Sequence, residues 1–285
     1  MCIFNRFNAF RFANALLPAK FAAVFIFVTF PLFLSCNKSY GKNAVSSEPP
    51  VQIDPRIVKF GFVYDSMGER FKDEVFIPED KILDCVDRIE KVIADDRDDL
   101  LRFNDKKHLL PSDYAPTDLI SLKNCEAFVV SRNDLSLRKT VYENLLTLGT
   151  AAKNDGITLV VSSTYRSYAY QERLYERNVR ELGQEMADRE SAKPGSSQHQ
   201  LGVVVDFGSV TDDFAKTAQC QWLNENAMDY GWSLSFPQGY EDVTGFRWEC
   251  WQFRYIGEEA CRLQKEYFND VQHFLLEFID AWKNN

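Results

Sequence analysis

Two side chains in one short segment have the types and spacing that could bind a metal ion. His199 and Asp206 lie seven residues apart, and a glycine and a predicted strand separate them. A neutral imidazole and a carboxylate oxygen are ligands that divalent metals use in hydrolytic sites, where one position stays open for water. Because His199 precedes the strand and Asp206 lies at its far end, the two could converge on one ion. A purely structural histidine–aspartate contact is the alternative that these residues alone leave open.

A later carboxylate, Glu249, lies in an aromatic setting that holds two Phe and two Trp within residues 246–253. Desolvation there should raise the pKa of the carboxyl group toward the range that suits a general base. The alternative is an ordinary salt bridge with Arg247 or Arg254. Residue Gln252 follows three positions later, with an aromatic residue on either side.

A third segment, residues 161–171, predicts a strand that ends in a turn and starts a helix. This places Arg166 next to a helix N-terminus. The guanidinium group and the free N–H groups of a first helical turn both favour an anion, such as a peptide carboxylate. A solvated surface arginine is the alternative.

The elements that would position these residues can be read from hydrophobic spacing and turn residues. The patterns predict strands over 58–64, 157–162, 203–207 and 247–256, and helices over 80–103, 137–154, 167–189, 214–230 and 258–283. These segments are too few and too unevenly spaced for a doubly wound sheet. We therefore expect an α+β fold, with an antiparallel sheet covered by helices and a small N-terminal helical extension.

The N-terminal residues 1–35 contain no acidic side chain and end in an apolar run, Phe21 to Leu34, that is short for a membrane span. The run is followed by Ser35-Cys36, which resembles a bacterial lipoprotein processing site with Cys36 as the lipidated residue. An ordinary signal peptide or an uncleaved anchor is the alternative. Each of these predicts an exported protein, and the lipoprotein reading predicts a membrane anchor with residues 36–57 as a flexible tether.

The net charge limits which partners the protein can bind, and the cysteine content limits its disulfides and metal sites. Without residues 1–35 the chain has 30 basic and 42 acidic side chains, a formal charge of −12, so binding to nucleic acid is not expected. Beyond Cys36 there are five cysteines, an odd number that permits two disulfides with one thiol left over. The absence of a CxxC pair argues against a thiolate zinc site.

Taken together, these segments resemble the zinc D-alanyl-D-alanine carboxypeptidases of the vancomycin-resistance type, with their LD-carboxypeptidase relatives. The resemblance covers about residues 102–257, and segments 110–119 and 226–232 also fit the family pattern. The matching positions in the three segments above are Tyr165, Arg166, Ser167, Gln171, Ser197, His199, Gly202, Asp206, Glu249, Trp251, Arg254 and Tyr255.

The resemblance implies a mechanism and a set of parts. His199, Asp206 and a second histidine would bind Zn²⁺, and Glu249 would act as the general base. Arg166, helped by Ser197 and Gln171, would bind the terminal carboxylate of a peptidoglycan stem peptide. The implied organisation is a signal peptide (1–35), a tether (36–57), an N-terminal extension (58–101), a catalytic domain (102–262) and a C-terminal helix (263–285).

The departure from the family is Gln252, which stands where the second ligating histidine is expected. An amide oxygen is a neutral and poorer zinc donor than an imidazole. Val204 and Gln198 also replace the usual alanine and glutamate. Two hypotheses follow: a carboxypeptidase whose metal binding is weakened by Gln252, or a catalytically inactive, lipid-anchored protein that binds peptidoglycan peptides.

Overall fold

The computed structural model describes residues 53–285. The predicted signal peptide, the lipidation at Cys36 and most of the predicted tether lie outside this range. Within it, no helix has the length and apolar character needed to span a bilayer. Residues 53–285 belong to one compact unit.

Ten α-helices and seven strands make up the described part of the chain. The helices are α1 Pro55–Ser66, α2 Glu69–Glu74, α3 Ile82–Asp95, α4 Lys139–Asn154, α5 Tyr168–Leu182, α6 Gln184–Glu190, α7 Ala218–Asn226, α8 Glu241–Thr244, α9 Glu258–Tyr267 and α10 Gln272–Asn284. The strands are β1 Leu119–Ser121, β2 Phe128–Val130, β3 Ser136–Arg138, β4 Leu159–Ser163, β5 Val204–Phe207, β6 Trp232–Phe236 and β7 Glu249–Tyr255. Short 3₁₀ turns lie between several of them.

The central sheet has five strands in the order β2-β4-β5-β7-β6, and β1 pairs with β3 in a separate ribbon. All neighbours in the five-stranded sheet are antiparallel except the edge strand β2, which runs parallel to β4. The predicted α+β class, with a mainly antiparallel sheet and covering helices, is confirmed. The three inner strands β4, β5 and β7 carry the site residues.

The predicted strand over 58–64 is wrong, because this segment is part of helix α1. The Asp54 carboxylate accepts a hydrogen bond from the Arg56 N–H at the helix start, and proline occupies the first helical position. The apolar residues Phe60 and Val63 then fall three apart on the buried face, whereas Phe62 is 70% exposed. A strand would have placed Phe60 and Phe62 on the same face.

Two predicted long helices are each two helices in the structure. The segment 167–189 is divided at Gly183, which has a φ of 81° and so ends α5 in a conformation that favours glycine. The terminal segment is divided between α9 and α10, where Asn269 and Asp270 have φ values of 52° and 58°. Asparagine and aspartate tolerate this left-handed region better than most residues.

The buried apolar residues form two clusters. One lies around the central sheet and α4, and the other joins the N-terminal helices α1–α3 to α9 and α10. The predicted N-terminal extension and the predicted C-terminal helix therefore pack against each other. Arg254 of β7 links this second cluster to the sheet, because its Nη2 donates to the carbonyl oxygens of Leu100 and Arg102 at 2.7 and 2.8 Å.

The cysteines of the described residues form no disulfide. All five are free thiols, at positions 85, 125, 220, 250 and 261, so the two disulfides that the cysteine count permits are not formed. Four of them are buried, and burial raises the pKa of Cys85 to about 12 and that of Cys250 to about 11. These thiols act as small apolar side chains.

Candidate metal and substrate site

The register of the central sheet places three site residues in one row. Ser163 of β4 is paired with Asp206 of β5, and Asp206 is paired with Gln252 of β7. Residues directly opposite each other on antiparallel strands have neighbouring side chains on the same face of the sheet. Gln252 therefore lies beside Asp206, where a metal ligand on β7 would have to lie.

His199 reaches the same place from a 3₁₀ turn, Gln198–Leu201, that precedes β5. The turn ends at Gly202, which has a φ of 71°, and an added Cβ there would lie 3.0 Å from the Arg138 side chain. The Nδ1 of His199 is 2.6 Å from the Thr164 carbonyl oxygen, so in the neutral ring Nδ1–H donates and Nε2 keeps its lone pair. Nε2 lies 3.3 Å from Asp206 Oδ1 and 3.2 Å from Gln252 Oε1.

These distances fit a shared divalent ion. Donors at roughly 2.0–2.2 Å from a tetrahedral ion lie about 3.3–3.6 Å from one another. The Oδ1 atom of Asp206 is fully buried and accepts no hydrogen bond within the described residues. With a neutral His199 ring, the Nε2 lone pair lies close to both oxygens, Asp206 Oδ1 and Gln252 Oε1, and a cation beside the three atoms would satisfy all of them. Within residues 53–285, no three His, Cys, Asp or Glu side chains form a metal-binding group, so the third donor of this set is the amide.

Asp206 remains ionised although it is almost completely buried. Burial alone would raise the pKa of its carboxyl group, but the neighbouring His199 and Arg166 outweigh burial and hold it below its usual value. The Nη2 of Arg166 donates to Asp206 Oδ2 at 2.8 Å. Asp206 therefore presents one oxygen to the arginine and the other to the candidate metal position.

Glu249 opens β7 and lies in the same cavity as the candidate metal position. A bulge brings it there. Leu234 and Phe236 of β6 pair with Phe253 and Glu249, so three residues of β6 face five residues of β7. Burial, followed by the charge of Asp206, raises the pKa of Glu249 to about 8.

Neither ion pair considered from the sequence for Glu249 is present. The carboxyl group of Glu249 has no hydrogen bond or salt bridge within the described residues. Arg247 pairs with Asp212 at 2.5 Å, and Arg254 donates to backbone carbonyls. Glu249 is thus left free to act on a molecule in the cavity.

Arg166 lies in the turn between β4 and α5, and four hydrogen bonds hold it. Its backbone N–H donates to the His199 carbonyl oxygen at 3.2 Å, its Nε donates to Ser163 Oγ at 3.0 Å, and its Nη2 contacts Ser163 and Asp206. Its Nη1 makes no hydrogen bond within residues 53–285 and belongs to a side chain that lines the cavity. Sequence reasoning missed the role of Ser163, whose only signal was its position at the end of a predicted strand.

The two other predicted substrate-binding residues lie in different environments. Ser197 is buried, lines the cavity and makes no side-chain hydrogen bond within the described range, so its hydroxyl is available to a bound molecule. Gln171 is not among the residues that line the cavity. Its Nε2 donates to the Ala192 carbonyl oxygen at 2.7 Å, so it holds the segment before Ser197 in place. Cys250 also lies outside the cavity, packed in the sheet core.

The cavity that joins these groups has a volume of about 480 Å³, which is in the range of small-ligand sites. Its polar floor consists of His199, Asp206, Glu249, Arg166 and Gln252. Its walls include the side chains of Tyr170, Leu174, Phe236, Phe246 and Trp251. The arrangement combines a candidate cation position, a free carboxyl group and a partly free guanidinium group, which together are suited to hydrolysing a bond near a carboxylate.

The protein is thus an α+β domain whose cavity holds a candidate metal site, and comparison with known proteins identifies its family. Residues 134–258 match the VanY family of D-alanyl-D-alanine carboxypeptidases. The putative carboxypeptidase YodJ of Bacillus subtilis (strain 168) is 31% identical over 188 residues, which cover 61% of this chain and 69% of YodJ. The chain belongs to the VanY family.

Two solved structures agree with this assignment. The LD-carboxypeptidase LdcB, whose structure is described as revealing the molecular basis of peptidoglycan recognition, superposes with a TM-score of 0.57 at 30% identity, over 65% of this chain and 87% of LdcB. VanYB in complex with D-alanine-D-alanine superposes with a TM-score of 0.50 at 27% identity, over 60% of this chain and 93% of that one. The resemblance inferred from the sequence motifs is confirmed.

Proposed function

We propose that this protein is a metal-dependent carboxypeptidase that removes the C-terminal D-alanine from peptidoglycan stem peptides. The observation that carries the proposal is that Asp206 Oδ1 and Gln252 Oε1 both lie within 3.2–3.3 Å of His199 Nε2. Glu249 and Arg166 line the same cavity. The names of the relatives, a D-alanyl-D-alanine carboxypeptidase family and an LD-carboxypeptidase, supply the substrate class.

His199, Asp206 and Gln252 would hold a divalent ion, with Zn²⁺ as the ion that the family resemblance implies. When bound, such an ion polarises a substrate carbonyl and lowers the pKa of a coordinated water. The free Nη1 of Arg166 and the Ser197 hydroxyl would bind the terminal carboxylate of the peptide, which aligns the last peptide bond with Glu249.

Glu249 is the residue that would move protons. As a carboxylate it accepts a proton from the attacking water as the new C–O bond forms, and then donates this proton to the departing amine as the C–N bond breaks. With a peptide bound, the aromatic walls of the cavity would shield these groups from bulk water and so strengthen their electrostatic interactions. The positively charged Arg166 close to Asp206 keeps that carboxylate ionised during the reaction.

The alternative is an inactive protein that binds peptidoglycan peptides. One contact favours it: the Gln252 amide lies at hydrogen-bonding distance from His199 Nε2, so an N–H donor could satisfy the imidazole without any metal. In that case Arg166 and Ser197 would still bind a peptide carboxylate. The cavity would retain a ligand but not hydrolyse it.

One experiment separates these readings. The purified protein is loaded with Zn²⁺ and incubated with a stem pentapeptide ending in D-Ala-D-Ala, and with the corresponding tetrapeptide, and released D-alanine is measured with and without a chelator. Chelator-sensitive release supports the carboxypeptidase. Peptide binding without release, together with release by a Gln252→His variant, would instead support the binding protein.

We further propose that the chain is an exported lipoprotein anchored through Cys36, on the outer side of a membrane. The support is the N-terminal sequence, basic and then apolar, that ends in Ser35-Cys36. Labelling of the cells with a radioactive fatty acid tests this. The label should enter the unaltered protein and be lost in a Cys36→Ala variant, and equal labelling of both would contradict it.

A further inference from the structure

Gln198 has no part in the hydrolysis described above, yet its side chain lies next to the unusual ligand. Its Oε1 accepts a hydrogen bond from the hydroxyl of Ser235 at 3.0 Å. The same oxygen lies 3.5 Å from Nε2 of Gln252. The other end of the Gln252 amide, Oε1, is 3.2 Å from His199 Nε2. Ser235, Gln198, Gln252 and His199 therefore form a continuous chain of polar contacts.

The orientation of the Gln252 amide decides what it can bind. Its oxygen end offers lone pairs to a cation, whereas its nitrogen end offers only N–H donors. The two ends are nearly equal in size, so their neighbours determine which end faces which side. In the observed orientation the oxygen faces His199 Nε2 and the nitrogen faces Gln198.

Only two arrangements of the two amides are mutually consistent. If Gln198 presents its oxygen, Gln252 must present its N–H groups to Gln198, and its own oxygen then faces His199 and Asp206. If Gln198 presents its N–H groups, the oxygen of Gln252 turns toward Gln198, and its N–H groups turn toward His199. Mixed arrangements would oppose two oxygens or two N–H groups, and an unmatched buried polar group is costly.

We propose that Gln198 is a positioning residue that fixes the Gln252 amide with its oxygen toward His199 and Asp206, and thereby sets the affinity of the site for a divalent cation. The proposal rests on the proposed function in that it assumes a cation between these donors. The observed arrangement supports it, because the Ser235 hydroxyl and the Gln252 N–H groups both face the same Gln198 oxygen and every contact of the chain is matched. Gln198 is partly exposed, so it can be replaced with little cost to folding.

The test measures Zn²⁺ affinity of the full-length protein in detergent, by competition with a chromophoric chelator. Gln198→Glu leaves only acceptor oxygens beside Gln252 and should tighten Zn²⁺ binding about 10-fold. Gln198→Met removes the acceptor and should weaken binding about 10-fold, the low end of the effect of residues that orient metal ligands. Because Gln198→Glu also adds a negative charge, both changes are repeated in a Gln252→Ala background, where no amide remains to be oriented.

The inference predicts that both effects shrink to less than about 3-fold in the Gln252→Ala background. Equal effects in both backgrounds would overturn it, since they would then come from charge or packing alone. If the unaltered protein takes up no Zn²⁺ but Gln198→Glu does, the orienting role is supported while the proposed zinc enzyme is not. If neither takes up Zn²⁺ and Gln252→His does, the inference is overturned, because the amide oxygen is then not a donor in either orientation.

Discussion

Asp206 and Gln252 are directly opposite each other on the antiparallel strands β5 and β7. This pairing places an amide where the family resemblance leads one to expect an imidazole, beside a buried carboxylate oxygen that has no hydrogen-bond partner within the described residues. The proposed metal site therefore has three candidate donors, of which the amide oxygen of Gln252 is neutral and the weakest.

Glu249→Gln should remove catalysis and leave cation binding in place. The amide keeps the size of the side chain but cannot accept and pass on a proton, so kcat should fall by about 10²–10⁴-fold. Zn²⁺ affinity, measured by chelator competition, should change little because Glu249 is not among the three proposed donors. A kcat within about 3-fold of that of the unaltered enzyme would contradict the role of Glu249.

The same substitution should stabilise the metal-free protein at alkaline pH. The folded-state pKa of Glu249, about 8, lies above its ordinary value of 4.5, so the folded protein holds this proton more tightly than the unfolded chain does. The stability contributed by this group is therefore greatest below pH 4.5 and is lost as pH rises toward 8. Glu249→Gln avoids this loss. Its effect on the free energy of unfolding should therefore be about 2–4 kcal/mol more favourable at pH 8 than at pH 5.

Urea unfolding in the presence of a chelator, at both pH values, measures this gain. The exposed Glu172 provides a matched control, Glu172→Gln, because its side chain lies on the surface of α5 and outside the cavity. An identical effect of Glu249→Gln at the two pH values would show that Glu249 is not held in a desolvated site.

Arg166→Lys should weaken substrate binding more than it slows the chemical step. Lysine keeps the positive charge near Asp206 but cannot form the planar fork that contacts Ser163, Asp206 and a carboxylate together. The loss of a charge-assisted hydrogen bond, about 1.5–3 kcal/mol, corresponds to a rise of about 10–100-fold in KM. The exposed Arg173 of α5 provides the control substitution, Arg173→Lys, which should leave KM unchanged.

A peptide whose terminal carboxylate is amidated tests the same point from the substrate side. The unaltered enzyme should discriminate strongly against it, and Arg166→Lys should lose most of this discrimination. Discrimination that persists in the variant would assign the carboxylate contact to another residue.

Part of the site was predictable from the sequence, and part of it depends on pairing between strands. The spacing of His199 and Asp206 about a short strand predicted their convergence, since a loop and a strand end can approach one point. Glu249 and Gln252 are three residues apart, and in a regular strand they would face opposite sides of the sheet. The bulge in β7 that brings both into the cavity is set by the register with β6, which local sequence does not reveal.

The N-terminal helices show the same limit of local sequence, which does not reveal contacts with distant segments. Weak alternation of Phe60, Phe62 and Tyr64 indicated a strand, but the Asp54 cap and the packing of α1 against α3 and α10 outweigh it. Propensity over seven residues is a weak signal compared with burial against distant helices. Strand β6 was not predicted either. Its five residues directly follow the 3₁₀ turn that ends at Gly231, and so short a segment gives a weak local signal.

His273 should make the fold sensitive to acid. Burial lowers the pKa of this imidazole from 6.5 to about 4, so the unfolded chain takes up its proton first as pH falls. The stability contributed by the neutral ring is fully present above pH 6.5 and is lost between about pH 6.5 and 4, by up to about 3 kcal/mol. His273→Gln should flatten this part of the stability profile in chemical denaturation, and an unchanged profile would contradict the burial of a neutral ring.

The central claim is that one cation is held by His199, Asp206 and Gln252. A crystal of the zinc-loaded protein, measured at the zinc absorption edge, tests it most directly. The account predicts a single anomalous peak at roughly 2.0–2.2 Å from His199 Nε2, Asp206 Oδ1 and Gln252 Oε1. A cavity without a peak at saturating Zn²⁺, or a peak that Gln252 does not contact, would contradict it.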